Sequence, residues 1–312
     1  MTMPVLEVEG LSISFTQYDK GVRQRSLPVI RDLDLTIRPG QVVAVVGSSG
    51  SGKSLLAHGI LGILPYNARQ SGSIRYRGEP LTPRRAEELR GREIVLIPQS
   101  VGYLDPLMQV GPQIRKGRRD LASRARSREI LGRYHLGSEV EALYPFELSG
   151  GMTRRVLIST AVVEAPSLVI ADEPTPGLDP RSLHHIMDHF REIADSGAGL
   201  LLITHDLEAA LAIADRVAVF YAGETIEEAP ASDFAAEETL RHPYTRALWR
   251  AMPQHGFQPI PGAQPYPGAA PQGCPFLPRC PRRTAECGSA VPYRPVEGGF
   301  VRCLHPERGA GA

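Results

Sequence analysis

Apolar positions along the first 230 residues recur in two patterns, and each pattern predicts a different kind of strand. Apolar and polar residues alternate from Val5 to Phe15 and from Leu33 to Ile37, which is typical of strands with one buried face. Unbroken apolar runs predict strands buried on both faces, at residues 41–46, 94–97, 167–171 and 199–203. Helical segments lie between these runs, so the pattern indicates an α/β fold with a largely parallel sheet.

The periodicity ends after residue 250. Prolines and glycines crowd residues 253–278, a composition that predicts an irregular linker and tail with neither helix nor strand. We therefore predict a main domain over residues 1–250 and a Pro/Gly-rich extension over residues 251–312. Within the domain, residues 113–141 look helical and basic. Their arginines form either a docking surface or lipid headgroup contact, or a solvated helix face, and the solvated face is favoured.

Charge and hydropathy narrow the kinds of partner. The 312 residues carry 35 Lys and Arg against 34 Asp and Glu, a formal net charge of +1, so nothing draws the chain towards nucleic acid or anionic lipid. No apolar run reaches the length of a membrane span, and the first residues lack the basic and apolar parts of a signal peptide. We expect a cytoplasmic protein that serves a membrane, if at all, as a peripheral subunit.

A glycine-rich loop between a predicted buried strand and a predicted helix is the clearest chemical signal. The stretch GSSGSGKS fits the pattern G-x-x-x-x-G-K-[ST] at every fixed position. Its backbone N–H groups and the following helix N-terminus favour bound anions, which predicts a nucleotide triphosphatase of unspecified kind. Lys53 is expected to reach the β- and γ-phosphates, and the Ser54 hydroxyl to bind Mg²⁺. The candidate nucleotide-binding residues of this loop are Gly47, Ser48, Gly50, Ser51, Gly52, Lys53 and Ser54.

Polar residues end three more predicted strands, at the edge where α/β proteins bind ligands. Asp172 and Glu173 could form a surface turn. With the glycine-rich loop upstream, they instead predict a catalytic pair, in which Asp172 holds Mg²⁺ through water and Glu173 orients or deprotonates the attacking water. His205 either senses a γ-phosphate or lies near a helix cap. Gln99 faces either a ligand or solvent.

The residues alone leave two interpretations for each of two further features. Ser149, Gly150 and Gly151 precede a helix, and form either a second anion-binding turn or an ordinary N-cap. Phe15 either stacks on an adenine ring or belongs to the core, and the pattern alone favours the core.

In their order and spacing these features resemble those of an ABC-transporter ATPase subunit, and the resemblance covers essentially the whole chain. The resemblance implies a P-loop NTPase core with a parallel-rich sheet, an antiparallel β subdomain and an α-helical subdomain over about residues 100–165. It also implies that Phe15 stacks on adenine, and that ATP and Mg²⁺ bind. The matching motifs are Walker A (47–54), the Q-loop residue Gln99, the signature (148–152), the Walker B acids Asp172 and Glu173, the D-loop (177–179) and the H-loop His205.

The family's mechanism implies that each ATP site is completed across a dimer interface. Glu173 and His205 would then be catalytic on this chain's own site. The residues that would serve the partner's site are Ser149, Gly150, Gly151 and Asp179. We expect a second, homologous ATPase chain, two transmembrane permease subunits and an extracytoplasmic solute-binding protein. The complex would lie at the cytoplasmic face of the membrane and contact no nucleic acid.

A finer resemblance points to the peptide/nickel importer branch. Met152 stands where most members of the family have Gln, and residues 242–248 and 273–280 look like that branch's post-core and cysteine segments. Residues 61–72 are similar to nickel and metallophore importers. The expected solute is therefore an oligopeptide or dipeptide, or nickel or a metal–metallophore complex. The alternatives are a soluble ABC ATPase that acts on ribosomes or DNA, and a regulatory nucleotide-binding subunit.

The cysteines form a cluster in the extension. Five, six and fifteen residues separate them, without the two-residue spacing of zinc ribbons or bacterial ferredoxins. Spacing alone leaves zinc, an iron–sulfur cluster, disulfides and free thiols open, although a cytosolic setting weakens disulfides. Some members of the importer branch carry a [4Fe–4S] cluster on such a tail, and the resemblance makes this the leading expectation. The four residues are Cys274, Cys280, Cys287 and Cys303.

Overall fold

The strands form two sheets in the computed structural model, which describes residues 2–18, 21–266 and 272–307. The strands are β1 Leu6–Tyr18, β2 Gln24–Ile37, β3 Val42–Gly47, β4 Ala68–Tyr76, β5 Glu79–Pro80, β6 Ile94–Ile97, β7 Leu168–Asp172, β8 Gly199–Thr204, β9 Arg216–Tyr221, β10 Glu224–Pro230, β11 Arg294–Val296 and β12 Gly299–Val301. The smaller sheet has the order β2-β1-β4-β5, and all its neighbours are antiparallel. The larger has the order β11-β12-β10-β9-β3-β8-β7-β6.

Helices cover the larger sheet and build a separate lobe. They are α1 Lys53–Leu61, α2 Pro83–Leu89, α3 Val110–Ile114, α4 Leu121–Arg133, α5 Gly150–Val162, α6 Pro180–Asp195, α7 Leu207–Leu211 and α8 Pro243–Arg250. Across the described ranges, none of these helices combines the length and the apolar character that a membrane crossing requires.

The five strands from β9 to β6 run parallel and are buried on both faces. Alternate residues of β3 pack into different cores, because side chains along a strand point to opposite faces. Val42 and Val46 face the core shared with α5, α6 and α8, whereas Val43 and Val45 face the core shared with the antiparallel sheet. This double burial explains the unbroken apolar runs in the sequence, and the predicted α/β class is confirmed.

The helical lobe has a small core of its own, formed between α3, α4 and α5. Its buried residues are Leu104, Val110, Ile114, Leu131, Leu136, Val140, Val156 and Leu157. The basic segment 113–141, predicted to be helical, is helical in separate pieces: it contains the end of α3, then α4, then a 3₁₀ turn at Ser138–Ala142. Lys116 and Gly117 have positive φ, and Asp120 caps α4 with a 2.8 Å bond from the Ser123 amide. A helix stop and a new N-cap therefore divide the basic run.

The extension is not wholly irregular, and the prediction that it lacks strands is wrong. β11 and β12 form a hairpin that turns at Gly298, whose φ is +77°. β12 then pairs with β10, matching Glu227 with Val301 and Glu228 with Phe300, so the tail adds two strands to the central sheet. The sequence does not show these strands, because each is only three residues long, lies among prolines and glycines, and gains its stability from the sheet edge that it joins. The domain boundary at residue 250 stays a prediction.

Candidate nucleotide-binding site

The glycine-rich loop joins β3 to α1 as the sequence predicts. Gly52 is the N-cap of α1 with a φ of +97°, a conformation that other residues rarely adopt. Gly47 lies so close to the next strand that a Cβ atom would come within 2.3 Å of the Phe220 carbonyl oxygen. The loop is thereby held open as a cradle at a helix N-terminus, where backbone N–H groups and the helix dipole favour an anion.

Lys53 is folded over this loop. Its Nζ donates to the carbonyl oxygens of Gly47 at 2.8 Å and Ser48 at 2.9 Å. Burial lowers the pKa of the Lys53 amine, and the carboxylates of Glu173 and Asp172 oppose that shift. The cation is therefore partly desolvated next to two acids, where an incoming phosphate is a favourable partner.

Ser51 gives independent support for a ligand in the cradle. The residue is 2% exposed, and its Oγ has no hydrogen-bond partner within the described parts of the chain. A buried hydroxyl without a partner carries a cost of about 1–3 kcal/mol. A phosphate oxygen in the cradle is the kind of acceptor that satisfies it.

Ser54 and Asp172 meet at the strand edge. The Ser54 Oγ donates to Asp172 Oδ1 at 3.1 Å, which joins the start of α1 to the end of β7. Burial raises the pKa of the Asp172 carboxyl, and the bond from Ser54 acts in the opposite direction. A hydroxyl and a carboxylate at this distance are oxygen donors of the type that Mg²⁺ prefers, so the residues present fit that ion.

Glu173 and His205 form the second polar pair of the edge. Glu173 Oε2 lies 2.7 Å from His205 Nδ1, and the Glu173 side chain is 10% exposed. Glu173 has a φ of +47°, and its amide donates to the Ile203 carbonyl at 2.8 Å. A glutamate in the left-handed region is strained and is held there by its neighbours. The structure thus brings together Lys53, Ser54, Asp172, Glu173 and His205, which are separated in sequence.

Gln99 is held through its backbone rather than its side chain, which is exposed. Arg154 of α5 donates to the Pro98 carbonyl at 2.9 Å and to the Gln99 carbonyl at 2.5 Å. Arg154 is 4% exposed, and burial lowers its pKa. Sequence reasoning named no role for Arg154. Two adjacent arginines, Arg154 and Arg155, on a helix of mostly small and apolar residues were the available signal.

The signature residues lie on a different, exposed surface. Ser149 is the N-cap of α5 and accepts a 3.3 Å bond from the Met152 amide. Gly151 lies near the Gly177 carbonyl, so the signature and D-loop segments are neighbours. Asp179 caps α6 by accepting from the amides of Arg181 and Ser182, and the bond from Ser182 lowers the pKa of its carboxyl. Ordinary N-caps thus account for Ser149 and Asp179 within this chain.

Phe15 lies on β1, half-buried, where it pairs with Leu27 and Ala68 and packs against the antiparallel-sheet core. The structural contacts of the ring are those of a core residue. Its stacking on adenine stays a prediction.

The cysteines converge although they are dispersed in the sequence. All four line one cavity of about 10 Å³, together with His242 and Arg282 among others, and all are free thiols. Burial, with the neighbouring thiols, raises the pKa of Cys274 to about 12 and that of Cys303 to about 11. Within the described ranges no group of three or more His, Cys, Asp or Glu side chains has an arrangement that could hold a metal ion. The two observations are compatible, because lining a shared cavity does not require the sulfur atoms to point at one centre.

Comparison with known proteins identifies the family to which these site residues belong. The family described as ABC transporter matches residues 30–176, and the family described as oligopeptide/dipeptide transporter, C-terminal region, matches residues 226–287. The oligopeptide transport ATP-binding protein OppD of Salmonella typhimurium is 35% identical over 97% of this chain and 94% of its own length. The chain belongs to the ABC transporter ATPase family. Its place is in the oligopeptide/dipeptide group of that family.

Other relatives agree with this placement of the ABC ATPase. A provisionally named peptide import ATP-binding protein of Brucella abortus is 36% identical over 97% of this chain and 95% of its own length. Among solved structures, the ATP-binding subunit of an ABC transporter aligns with a TM-score of 0.61 and 26% identity, covering 74% of this chain and 91% of that one. The cbiO1 protein of Clostridium perfringens, part of the ABC transporter complex cbiONQ, aligns with a TM-score of 0.60 and 26% identity over 76% and 92%. The chain is therefore an ATP-binding, ATP-hydrolysing subunit of a transporter.

Proposed function

We propose that this ABC ATPase powers uptake of oligopeptides or dipeptides through a separate permease at the cytoplasmic face of the membrane. The match of residues 226–287 to the oligopeptide/dipeptide transporter C-terminal region carries the proposal. Nickel or a metal–metallophore complex is the second solute class, supported by the similarity of residues 61–72 to importers of such solutes. The nearly full-length similarity to peptide-import ATP-binding proteins favours the importer over the soluble alternative.

The geometry supports a role for each residue of the polar edge. Lys53 would neutralise the β- and γ-phosphates, and Ser54 with Asp172 would hold Mg²⁺, which offsets the charge that develops during phosphoryl transfer. Glu173 would orient or deprotonate the attacking water. The 2.7 Å contact to His205 fixes the Glu173 carboxylate, so His205 would position Glu173 as well as approach the γ-phosphate.

Ser149 and Gly177 are exposed, with Gly151 half-buried between them, and this separate surface supports a site completed between two ATPases. An exposed helix N-terminus with two glycines is suited to bind the γ-phosphate of ATP held by another subunit. We infer a second ATPase chain whose own signature closes over Lys53 in the same way.

An exposed apolar surface fits a permease segment. The residues that form it follow Gln99 or lie beside the signature: Val101, Tyr103, Leu107, Met108 and Phe146. Gln109 Nε2 donates to the Ala142 carbonyl at 2.9 Å, which connects the two halves of this surface. Exposed apolar side chains grouped in this way mark interaction sites. We infer that a cytoplasmic helix of the permease docks here, next to Gln99.

Uptake in intact cells tests the proposal. We expect Glu173→Gln, which keeps the size of the side chain but not its charge, to abolish uptake of a labelled dipeptide while ATP still binds. Labelled nickel, with and without a chelator of the metallophore type, is measured in parallel. Glu208→Gln, at an exposed position on α7, is the matched control and should transport normally. Loss of nickel uptake alone would reverse the order of the two solutes, and loss of neither would contradict the importer assignment.

We also propose that Cys274, Cys280, Cys287 and Cys303 hold a [4Fe–4S] cluster or zinc, with a structural role. Their convergence on one cavity supports the proposal, and four thiols are the donor set that such groups take. Binding would release protons from thiols whose pKa is raised, so affinity should increase with pH. Iron, acid-labile sulfide and zinc analysis of anaerobically purified protein checks this. Absence of all three, with Cys274→Ser lacking any effect on melting temperature, would contradict it.

A further inference from the structure

The extension touches the glycine-rich loop directly. Ser48 Oγ donates a 2.5 Å hydrogen bond to Gln264 Oε1, across more than two hundred residues of sequence. Tyr244 of α8 lies close to the same serine, and both residues line one cavity. Ser48 is thus tethered to the extension through Gln264, and Tyr244 of α8 lies beside it.

Arg279 fixes the segment that carries Gln264, residues 258–266, which we call the strap. Its Nε donates to the Pro261 carbonyl at 2.7 Å, and one Nη donates to the Ile260 carbonyl at 3.1 Å. The other Nη donates to the Tyr221 hydroxyl at 3.0 Å on β9. Three donors of one planar guanidinium therefore join the strap to the central sheet.

A packed aromatic cluster supports Tyr244 from the cysteine segment. The Tyr244 ring lies 4.4 Å from Tyr221 and 5.3 Å from Phe276, measured between ring centroids. Phe276 is 1% exposed and lies two residues from Cys274. Contacts of this kind fix the Tyr244 ring beside Ser48.

We propose that the strap and Tyr244 hold the glycine-rich loop in the conformation that accepts phosphate, so that Gln264 and Tyr244 are positioning residues for the ATP site. The Ser48 carbonyl accepts from Lys53 Nζ at 2.9 Å, and the Ser48 side chain is the one tethered. Fixing Ser48 therefore fixes a carbonyl that orients Lys53. The inference rests on residues 47–54 being the ATP site.

The position of the strap agrees with this role. Together with Gly47, Ser48 and His205, the strap lines a cavity of about 280 Å³. The tether is therefore next to the loop and to the histidine assigned to the γ-phosphate. A loop that is already ordered loses less entropy when ATP binds, so the tether should raise affinity.

Nucleotide affinity of the full chain tests the inference. We expect Gln264→Ala and Tyr244→Phe each to weaken binding of a fluorescent ATP analogue with Mg²⁺ about fivefold, the worth of one hydrogen bond. In the assembled transporter, KM for ATP should rise by a similar factor while kcat stays within about twofold. Arg279→Lys, which keeps the charge but not the three-way geometry, should also weaken binding. Melting temperatures in the absence of ATP report whether each variant folds.

Matched controls use the same substitutions elsewhere in the extension. Gln258→Ala lies on the strap but is exposed, and Tyr293→Phe removes a hydroxyl that contacts Glu228 at 3.4 Å far from the loop. Both should bind ATP normally. Ser48→Ala combined with Gln264→Ala should be no weaker than Ser48→Ala alone, because the tether acts through that serine.

The outcomes separate this inference from the proposed function. Unchanged or increased affinity in both Gln264→Ala and Tyr244→Phe would overturn the positioning role, and so would a loss confined to kcat. Absence of ATP binding by the unsubstituted chain would instead contradict the ATP site itself.

Discussion

Burial controls the charge of two histidines, one at the N-cap of α8 and one on α6. His242 is 1% exposed, and its Nδ1 accepts a 3.0 Å hydrogen bond from the Tyr244 amide as the N-cap of α8. Its Nε2 has no partner within the described residues, and burial lowers the pKa of the ring to about 3. His189, which contacts the Tyr134 hydroxyl, has its pKa lowered by burial to about 4. Both rings are therefore neutral in the folded chain at neutral pH.

These shifts predict a loss of stability in acid. A histidine with a lowered pKa in the folded state contributes stability that is complete above about pH 6.5 and is lost as the pH falls towards the folded pKa. The free energy of unfolding should fall by about 1.4 kcal/mol per pH unit for each such ring, measured by urea unfolding between pH 7 and pH 4.5. His242→Asn keeps a cap acceptor without the titration, so its slope should be shallower. An unchanged slope would show that His242 is not the source.

The sequence was most informative about residues at strand ends. The cradle, Asp172, Glu173 and His205 were predicted because parallel strands place their ends along one edge. Arg154 was missed, since its role depends on carbonyl groups that it reaches only in the folded chain. Gln264 and Tyr244 were missed for the same reason. Nothing in a proline-rich segment indicates which distant serine it contacts.

Among the helices, α5 serves two surfaces at once. Its N-terminus presents Ser149, whereas Arg154 one turn later is buried and holds the Gln99 carbonyl. The first turn is therefore free to contact another subunit while the second is fixed to the core. A rotation of the helical lobe would move both together, which couples the exposed signature to the Q-loop.

A bulky charged residue at the N-terminus of α5 should impair the partner's ATP site without affecting this chain's own site. We expect Ser149→Arg to leave this chain's own affinity for ATP unchanged, because Ser149 lies outside the cradle. ATP hydrolysis by the assembled transporter should fall more than tenfold, since arginine blocks the phosphate-accepting turn offered to the partner. Ser196→Arg, exposed at the end of α6, is the control. Weakened ATP binding by this chain alone would contradict the assignment of Ser149 to the partner's site.

Element types were predicted better than their limits. The unbroken runs gave β3, β6, β7 and β8 because burial on both faces leaves little room for polar residues. The basic segment 113–141 carries no comparable apolar pattern. Its division into α3 and α4 depends on the N-cap at Asp120, which composition alone does not reveal. β11 and β12 could not be predicted, since a three-residue strand exists only through its partner.

Across the whole molecule, Arg302 joins the extension to both sheets. The residue is 8% exposed and donates to the Asp32 carbonyl at 3.0 Å on β2 and to the Thr225 carbonyl at 3.4 Å on β10. It also lies 3.7 Å from the Glu224 carboxylate. Burial raises the pKa of Glu224, and the charges of Arg31 and Arg302 oppose that shift. The extension is thus part of the packed structure rather than an appendage.

The pairing of β12 with β10 also affects how the chain reaches this state. Synthesis on a ribosome proceeds from the N-terminus, so β10 emerges long before residues 299–301 that cover its outer edge. Until then the central sheet presents a row of unpaired backbone groups, the kind of edge on which other chains assemble. A message cut short between Arg279 and β11 would release a protein that keeps the strap and the ATP cradle but has an open sheet. Its fate in the cell would be decided by aggregation rather than by loss of catalysis.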